Sequence, residues 1–168
     1  ADIEFSNIRS SLGAVDGEKG YRWLVGTSVN HVGGDTIPQF LAELDFGFAL
    51  PWKHSSIWLR NFIGAGIGDV GDDFTNFFFG GFGNNYVDKG SIKRYREFYS
   101  MPGFEINQIG GRNSHKVMLE WNLPPIRFKR VGTPGFYLTW ARPSFFVNSL
   151  RTNLDNSAIK EEVTNAGI

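Results

Sequence analysis

Residues 39–50 switch between two chemical characters at every step. Phe40, Ala42, Leu44, Phe46, Phe48 and Leu50 share one parity, and all are apolar. Gln39, Leu41, Glu43, Asp45, Gly47 and Ala49 share the other, which carries two carboxylates. Side chains alternate faces with period two along a strand, so the stretch is a two-faced strand rather than a helix. It is as long as a tilted strand crossing a bilayer, about 9–11 residues. The apolar face must meet either a protein core or lipid.

The same alternation recurs. Tyr21, Trp23, Val25, Thr27 and Val29 share a face in 21–31, and Val32-Gly33-Gly34-Asp35 is a turn signal, so 21–31 and 39–50 form an expected antiparallel hairpin. In 56–68, Ile57, Leu59, Ile63, Ala65 and Ile67 face one way, interrupted by Asn61. Trp58, Arg60, Phe62, Gly64, Gly66 and Gly68 face the other. Glycines on one face of a strand mark a bend or the close approach of another segment. Residues 74–82 read as a further strand, as do 116–123, where Met118, Glu120 and Asn122 oppose Val117, Leu119 and Trp121. Residues 136–141 read as another, which 144–150 continue past Pro143. The terminal stretches 3–8 and 158–168 are also strand-like, and the second reads as cut off within a strand. Residues 83–114 form a long basic loop, and loops of that length inside a compact domain are usually functional. About seven to eight strands and no helix are expected, in a single domain over 1–168 that is truncated at both ends.

Composition narrows the choice. The chain has 21 Gly, 16 Phe, 15% aromatic residues and 20% charged residues, against about 25% charged in ordinary soluble proteins. Many strands, tight turns and an aromatic girdle need that mixture. Seventeen basic and 17 acidic residues cancel, which leaves no nucleic-acid footprint. The absence of Cys excludes disulfides, thiolate metal sites and cysteine nucleophiles. No apolar run is long enough for a transmembrane helix, a criterion blind to barrel strands.

The polar faces are only half polar. Leu24, Leu41, Trp58, Phe62, Met118 and Tyr137 share them with Arg22, Glu43, Asp45, Arg60 and Glu120. A barrel interior filled partly by side chains and partly by water has this character. The expected fold is therefore all-β, a transmembrane antiparallel β-barrel, with these strands as part of a larger barrel. A soluble β-sandwich that binds carbohydrate through exposed Trp is the alternative from another class.

Residues 77–124 add a resemblance. Phe77 to Phe79 are followed by Gly80-Gly81, then Arg94-Tyr95-Arg96-Glu97-Phe98, Met101-Pro102-Gly103-Phe104, Gly110-Gly111, and a strand with Glu120 before Pro124. This order resembles the bacterial surface antigen family, the outer-membrane assembly and translocation barrels of the BamA/TamA type. The resemblance implies that Gly80, Gly81, Gly110 and Gly111 are turn glycines. It also implies that the loop folds into the lumen with Pro102, Gly103 and Phe104 at its motif. The family's loop Arg is replaced by Pro102 here, which leaves Arg94 or Arg96 to reach a lumenal acid. A non-enzymatic role in inserting or translocating proteins follows, in the outer membrane of a Gram-negative-type envelope. The implied partners are the lipid bilayer, unfolded outer-membrane or secreted proteins, and other envelope subunits. A passive pore or solute transporter is the second reading, against which the inward Trp58, Phe62 and Tyr137 count.

Glu43 and Asp45 lie one strand repeat apart, about 7 Å. That spacing suits acid–base work or a cation, but it equally suits lumenal charges paired with Arg22 or Arg60, which is the reading adopted. No Ser-His-Asp set is evident, and His31, His54 and His115 lack ligand spacing. Asp69, Asp72 and Asp73 lack the register of a calcium loop, and Gly80-Gly81-Phe82-Gly83 is not a nucleotide loop. No catalytic residue, metal or cofactor is expected.

Overall fold

The computed structural model describes residues 1–68, 71–82, 93–133, 135–156 and 158–168, with the backbone alone at Arg130. Strands β1 (Asp2–Arg9), β2 (Lys19–Val32), β3 (Asp35–Ala49), β4 (Ser56–Gly66), β5 (Phe77–Phe79), β6 (Ile109–Gly111), β7 (Asn113–Asn122), β8 (Ile126–Thr133), β9 (Phe136–Ala141), β10 (Ser144–Thr152) and β11 (Glu161–Gly167) carry the fold. Seven form one sheet in the order β1-β2-β3-β4-β7-β10-β11, with every neighbour antiparallel. β1 and β11 are its two edges, and the sheet does not close on itself among the described residues.

The β2–β3 hairpin is the expected one. Val32 pairs with Asp35 across Gly33 and Gly34, whose φ values of +62° and +98° supply the left-handed pair that a two-residue hairpin turn requires. From there the register propagates in rungs. Arg22, Asp45, Arg60, Met118, Asn148 and Asn165 lie side by side across β2, β3, β4, β7, β10 and β11. The adjoining rungs on the same face hold Gly47, Trp58, Glu120 and Phe146, and Leu24, Glu43, Phe62, Lys116 and Leu150.

The opposite face carries Tyr21, Phe46, Leu59, Leu119 and Val147 in one rung. The two faces invert the ordinary rule of burial. Leu119 is 51% exposed and its neighbour Glu120 is 0% exposed. Phe48, Ile63, Val25 and Val147 are exposed, whereas Asp45, Lys116, Asn122 and Asn148 are buried.

The burial comes from a cover over the polar face. β5 and β6 pair only with each other, outside the main sheet. With the 93–108 segment they lay Phe77, Phe79, Met101 and Ile109 against Phe62 and Leu150, which forms the apolar core. Phe62 stacks on Phe98 at 4.4 Å, and Tyr95 stacks on Phe146 at 4.6 Å. Each fully buried large side chain contributes about 1.5–3 kcal/mol. The glycines of β4 make room for the cover. A Cβ on Gly64 would lie 2.8 Å from the Phe77 ring, and one on Gly66 would lie 2.0 Å from the Thr75 carbonyl oxygen.

Four sequence readings change. Residues 74–82 are not one strand: a 3₁₀ turn at Asp73–Thr75 precedes the three residues of β5. The basic loop does not run to 114: β6 occupies Ile109–Gly111 and β7 begins at Asn113, and residues 83–92 lie outside the described residues. Residues 144–150 do not continue β9. β9 pairs with β8, a strand the alternation did not reveal, while β10 pairs with β7 and β11. Tyr137 accordingly sits on the separate β8–β9 hairpin, 71% exposed, and not on the polar face.

Candidate functional site

Glu120 is the centre of the polar face. It lies on β7, and the pairing of β7 with β4 puts it opposite Trp58. Arg96 approaches from the cover, where the 3₁₀ helix Arg94–Arg96 turns the chain inward. Its Nε donates to Glu120 Oε2 at 3.0 Å and its Nη2 to Oε1 at 2.5 Å. Tyr95 donates its hydroxyl to Glu120 Oε1 at 2.8 Å, and Arg60 Nε donates to Oε2 at 3.2 Å. A carboxylate wholly removed from water is tolerated only with such a full set of donors. Burial, with the Glu120 charge beside it, pushes the Tyr95 phenol up to about 12, so it remains a donor.

The network continues along the face in both directions. Arg60 Nη1 donates to Asp45 Oδ2 at 2.8 Å, and Arg22 bonds Glu43 and lies 3.4 Å from Asp45. The candidate carboxylates are thus paired with both arginines the sequence offered. Between them and Arg96 lies a cavity of about 220 Å³, also lined by Trp58 and Glu97. At the other side Asp16, in the β1–β2 connection, receives Lys93 at 2.8 Å, Arg142 at 3.1 Å and Arg96 at 3.3 Å. Burial works to raise the Asp16 carboxyl. The hydrogen bond from Lys93 and the charges of Arg96, Lys93 and Arg142 outweigh it and hold the group below its ordinary value.

A second clamp lies two rungs away on the same face. Lys116 projects from β7 under the cover and donates to the carbonyl oxygens of Glu97 and Phe98 at 3.0 Å each, and of Ser100 at 2.5 Å. The three carbonyls replace the water shell that a buried ammonium loses.

The other predicted positions behave differently. Arg94 is exposed, so Arg96 is the cation that meets the buried acid. Pro102, Gly103 and Phe104 do not reach Glu120. The Pro102 carbonyl accepts from Asn165 on the edge strand β11, Phe104 packs on the apolar core, and Gly103 holds φ +95° in an open turn. Gly80 and Gly81 do turn the chain, with φ +154° and +52°, and Gly81 bridges Met101. Gly110 and Gly111 are not turn glycines: both belong to β6. A Cβ on Gly111 would lie 2.6 Å from Thr152 Cβ, so its role is close packing against β10.

Asp16, Lys93, Tyr95, Lys116 and Arg142 complete the site without having been singled out. Lys116 had a signal, since it shares its parity with Glu120. Asp16 and Arg142 had none, because their meeting depends on connections at the end of the sheet. No cluster of His, Asp and Glu suited to a metal occurs among the described residues. Comparison with family models, with curated proteins and with solved structures gives no match.

Proposed function

We propose that this chain contributes seven strands to a transmembrane antiparallel β-barrel of the outer membrane, similar to the surface antigen family. Its role in that reading is the non-enzymatic insertion or translocation of proteins. The observation that carries the membrane half is the inverted sheet: a bare apolar face over strands of up to 15 residues, backed by a buried charged face. In water a contiguous apolar face of that extent marks an interaction surface. In lipid it is the ordinary outer wall of a barrel, with backbone groups paired strand to strand.

The inward-folded 93–112 segment supports the second half. It closes over the polar face through Arg96, Tyr95 and Lys116, as the loop of that family is expected to do. A wide passive pore fits less well, because Trp58 and Phe62 of that face are buried and Phe79 and Met101 of the cover pack over it. A soluble sandwich would need a second sheet over the apolar face, and none covers it among the described residues.

The test has two parts. The chain refolded from urea into phosphatidylcholine vesicles should float with them and resist carbonate extraction. Vesicles that contain it should then speed the folding of a denatured outer-membrane barrel added from outside. A chain that stays soluble and monodisperse without detergent would sink the membrane half. Flotation without any acceleration would sink the assembly role alone.

A further inference from the structure

We propose that the cleft between the 10–18 segment and the β8–β9 hairpin binds the phosphate headgroup of an anionic lipid. The inference rests on the membrane reading above. The cleft encloses about 600 Å³ and is lined by Val15, Arg127, Phe128, Lys129 and Trp140, among others. That volume lies within the range of small-ligand sites, about 300–1,000 Å³.

Its charge is uncompensated. Residues 123–143 contain no Asp or Glu. Arg127 and Lys129 are exposed, and neither makes an ion pair among the described residues. The cations of the polar face are all engaged, Arg22 and Arg60 by Asp45 and Arg96 by Glu120. Arg142, at the base of the hairpin, is held by Asp16 and by the carbonyls of Leu123 and His54. Arg127 and Lys129 thus leave open positive charge in this cleft, where a guanidinium fork beside an ammonium matches a phosphate.

Position and lining select a lipid over a free phosphate. β8 begins just beyond Trp121, and at that end of the apolar face Trp121 lies 6.4 Å from Trp52 and 6.0 Å from Phe145. Such an aromatic belt sits at headgroup level in a bilayer, which brings the adjoining cleft to the depth of the phosphates. Val15, Phe128 and Trp140 offer apolar surface to a glycerol and the first acyl carbons, which a free phosphate would not use.

The probe is dihexanoyl-phosphatidylglycerol, kept below its micellar concentration and titrated by calorimetry into the detergent-folded chain. Dihexanoyl-phosphatidylcholine and glycerol phosphate are the comparison ligands. Phosphatidylglycerol should bind at least about tenfold more tightly than either. The double substitution R127Q/K129Q should remove that preference, and K53Q, at an exposed lysine of the 50–55 turn outside the cleft, should leave it intact. Equal affinity for the two lipids, or a preference that survives R127Q/K129Q, overturns the site. Glycerol phosphate binding as tightly as the lipid overturns the lipid assignment. Both results can occur in a chain that floats with phosphatidylcholine vesicles, so they are separate from failure of the membrane reading.

Discussion

Arg96 holds Glu120 through two guanidinium nitrogens, at 2.5 Å from Nη2 and 3.0 Å from Nε, with the carboxylate fully buried. The contact joins the cover to the sheet it covers. Breaking a buried pair by removing one partner costs about 3–5 kcal/mol, because the remaining charge is left buried and uncompensated. Arg96→Gln should sit at the lower end of that range, since Arg60 and Tyr95 still serve Glu120. Urea midpoints of the detergent-folded protein measure it. In a double-mutant cycle with Glu120→Gln the two losses should be strongly non-additive. Additive losses would mean that the pair does not act as a clamp.

Lys116→Met keeps an apolar stem but takes the donor from the carbonyls of Glu97, Phe98 and Ser100. A buried acceptor left unpaired costs about 1–3 kcal/mol. The cover should loosen before the sheet does. Trypsin should therefore cleave within 93–112 sooner in the variant, while the fragment that carries β2–β4 remains intact. An unchanged cleavage rate at 93–112 would remove Lys116 from the account.

Asp16 gives the assembly a pH dependence of definite sign. Its folded carboxyl is held low by Lys93, Arg96 and Arg142. The ionised group thus contributes fully above the ordinary carboxylate range, and the contribution is lost as pH falls below about 4. The urea midpoint should drop between pH 6 and pH 3. Asp16→Asn should lower the pH 6 value and shrink the difference. A difference as large in Asp16→Asn as in the parent would place the pH sensitivity elsewhere.

Gly47 faces Trp58 across the β3–β4 pair, and an added Cβ would lie 2.4 Å from the indole ring. Trp58 is 2% exposed, and its indole N–H donates to Ser56 Oγ at 3.2 Å, which fixes the ring. Gly47→Ala should cost about 1–3 kcal/mol through overpacking. Trp58→Phe in that background should recover part of the loss, because the atoms that clash belong to the benzo ring. If Gly47→Ala is neutral, the polar face is looser than described.

Period-two alternation located the strands of the main sheet, though not the first residues of β7 and β11 or the separation of β10 from β9, because one face there meets a single environment along its length. The glycines at 64, 66 and 68 were also readable as a close approach, and Phe77 and Thr75 are what approach them. Reading failed where the chain leaves the sheet. Residues 74–82 look like a strand by composition, yet the length of β5 is set by its partner β6, which offers three residues. β8 was hidden because Arg127, Lys129 and Arg130 crowd it with charge, and a register shift between Arg127 and Val131 interrupts its pairing with β9. The pairing of Glu43 and Asp45 with Arg22 and Arg60 followed from shared parity on neighbouring strands. The tie between Asp16 and Arg142, 126 positions apart, did not.

The central claim is that the face bearing Leu59 and Leu119 meets lipid. The chain contains no cysteine, so a single nitroxide label can be placed at Leu59, Leu119, Ile63 or Met118 without removing a native thiol. Collision rates with oxygen, which concentrates in lipid, and with a water-soluble nickel chelate report what each label touches once the protein is in phosphatidylcholine vesicles. The account predicts labels at 59, 63 and 119 open to oxygen and closed to the chelate, and a label at 118 poorly accessible to both. Ready access of the chelate to 59, 63 and 119 would contradict it.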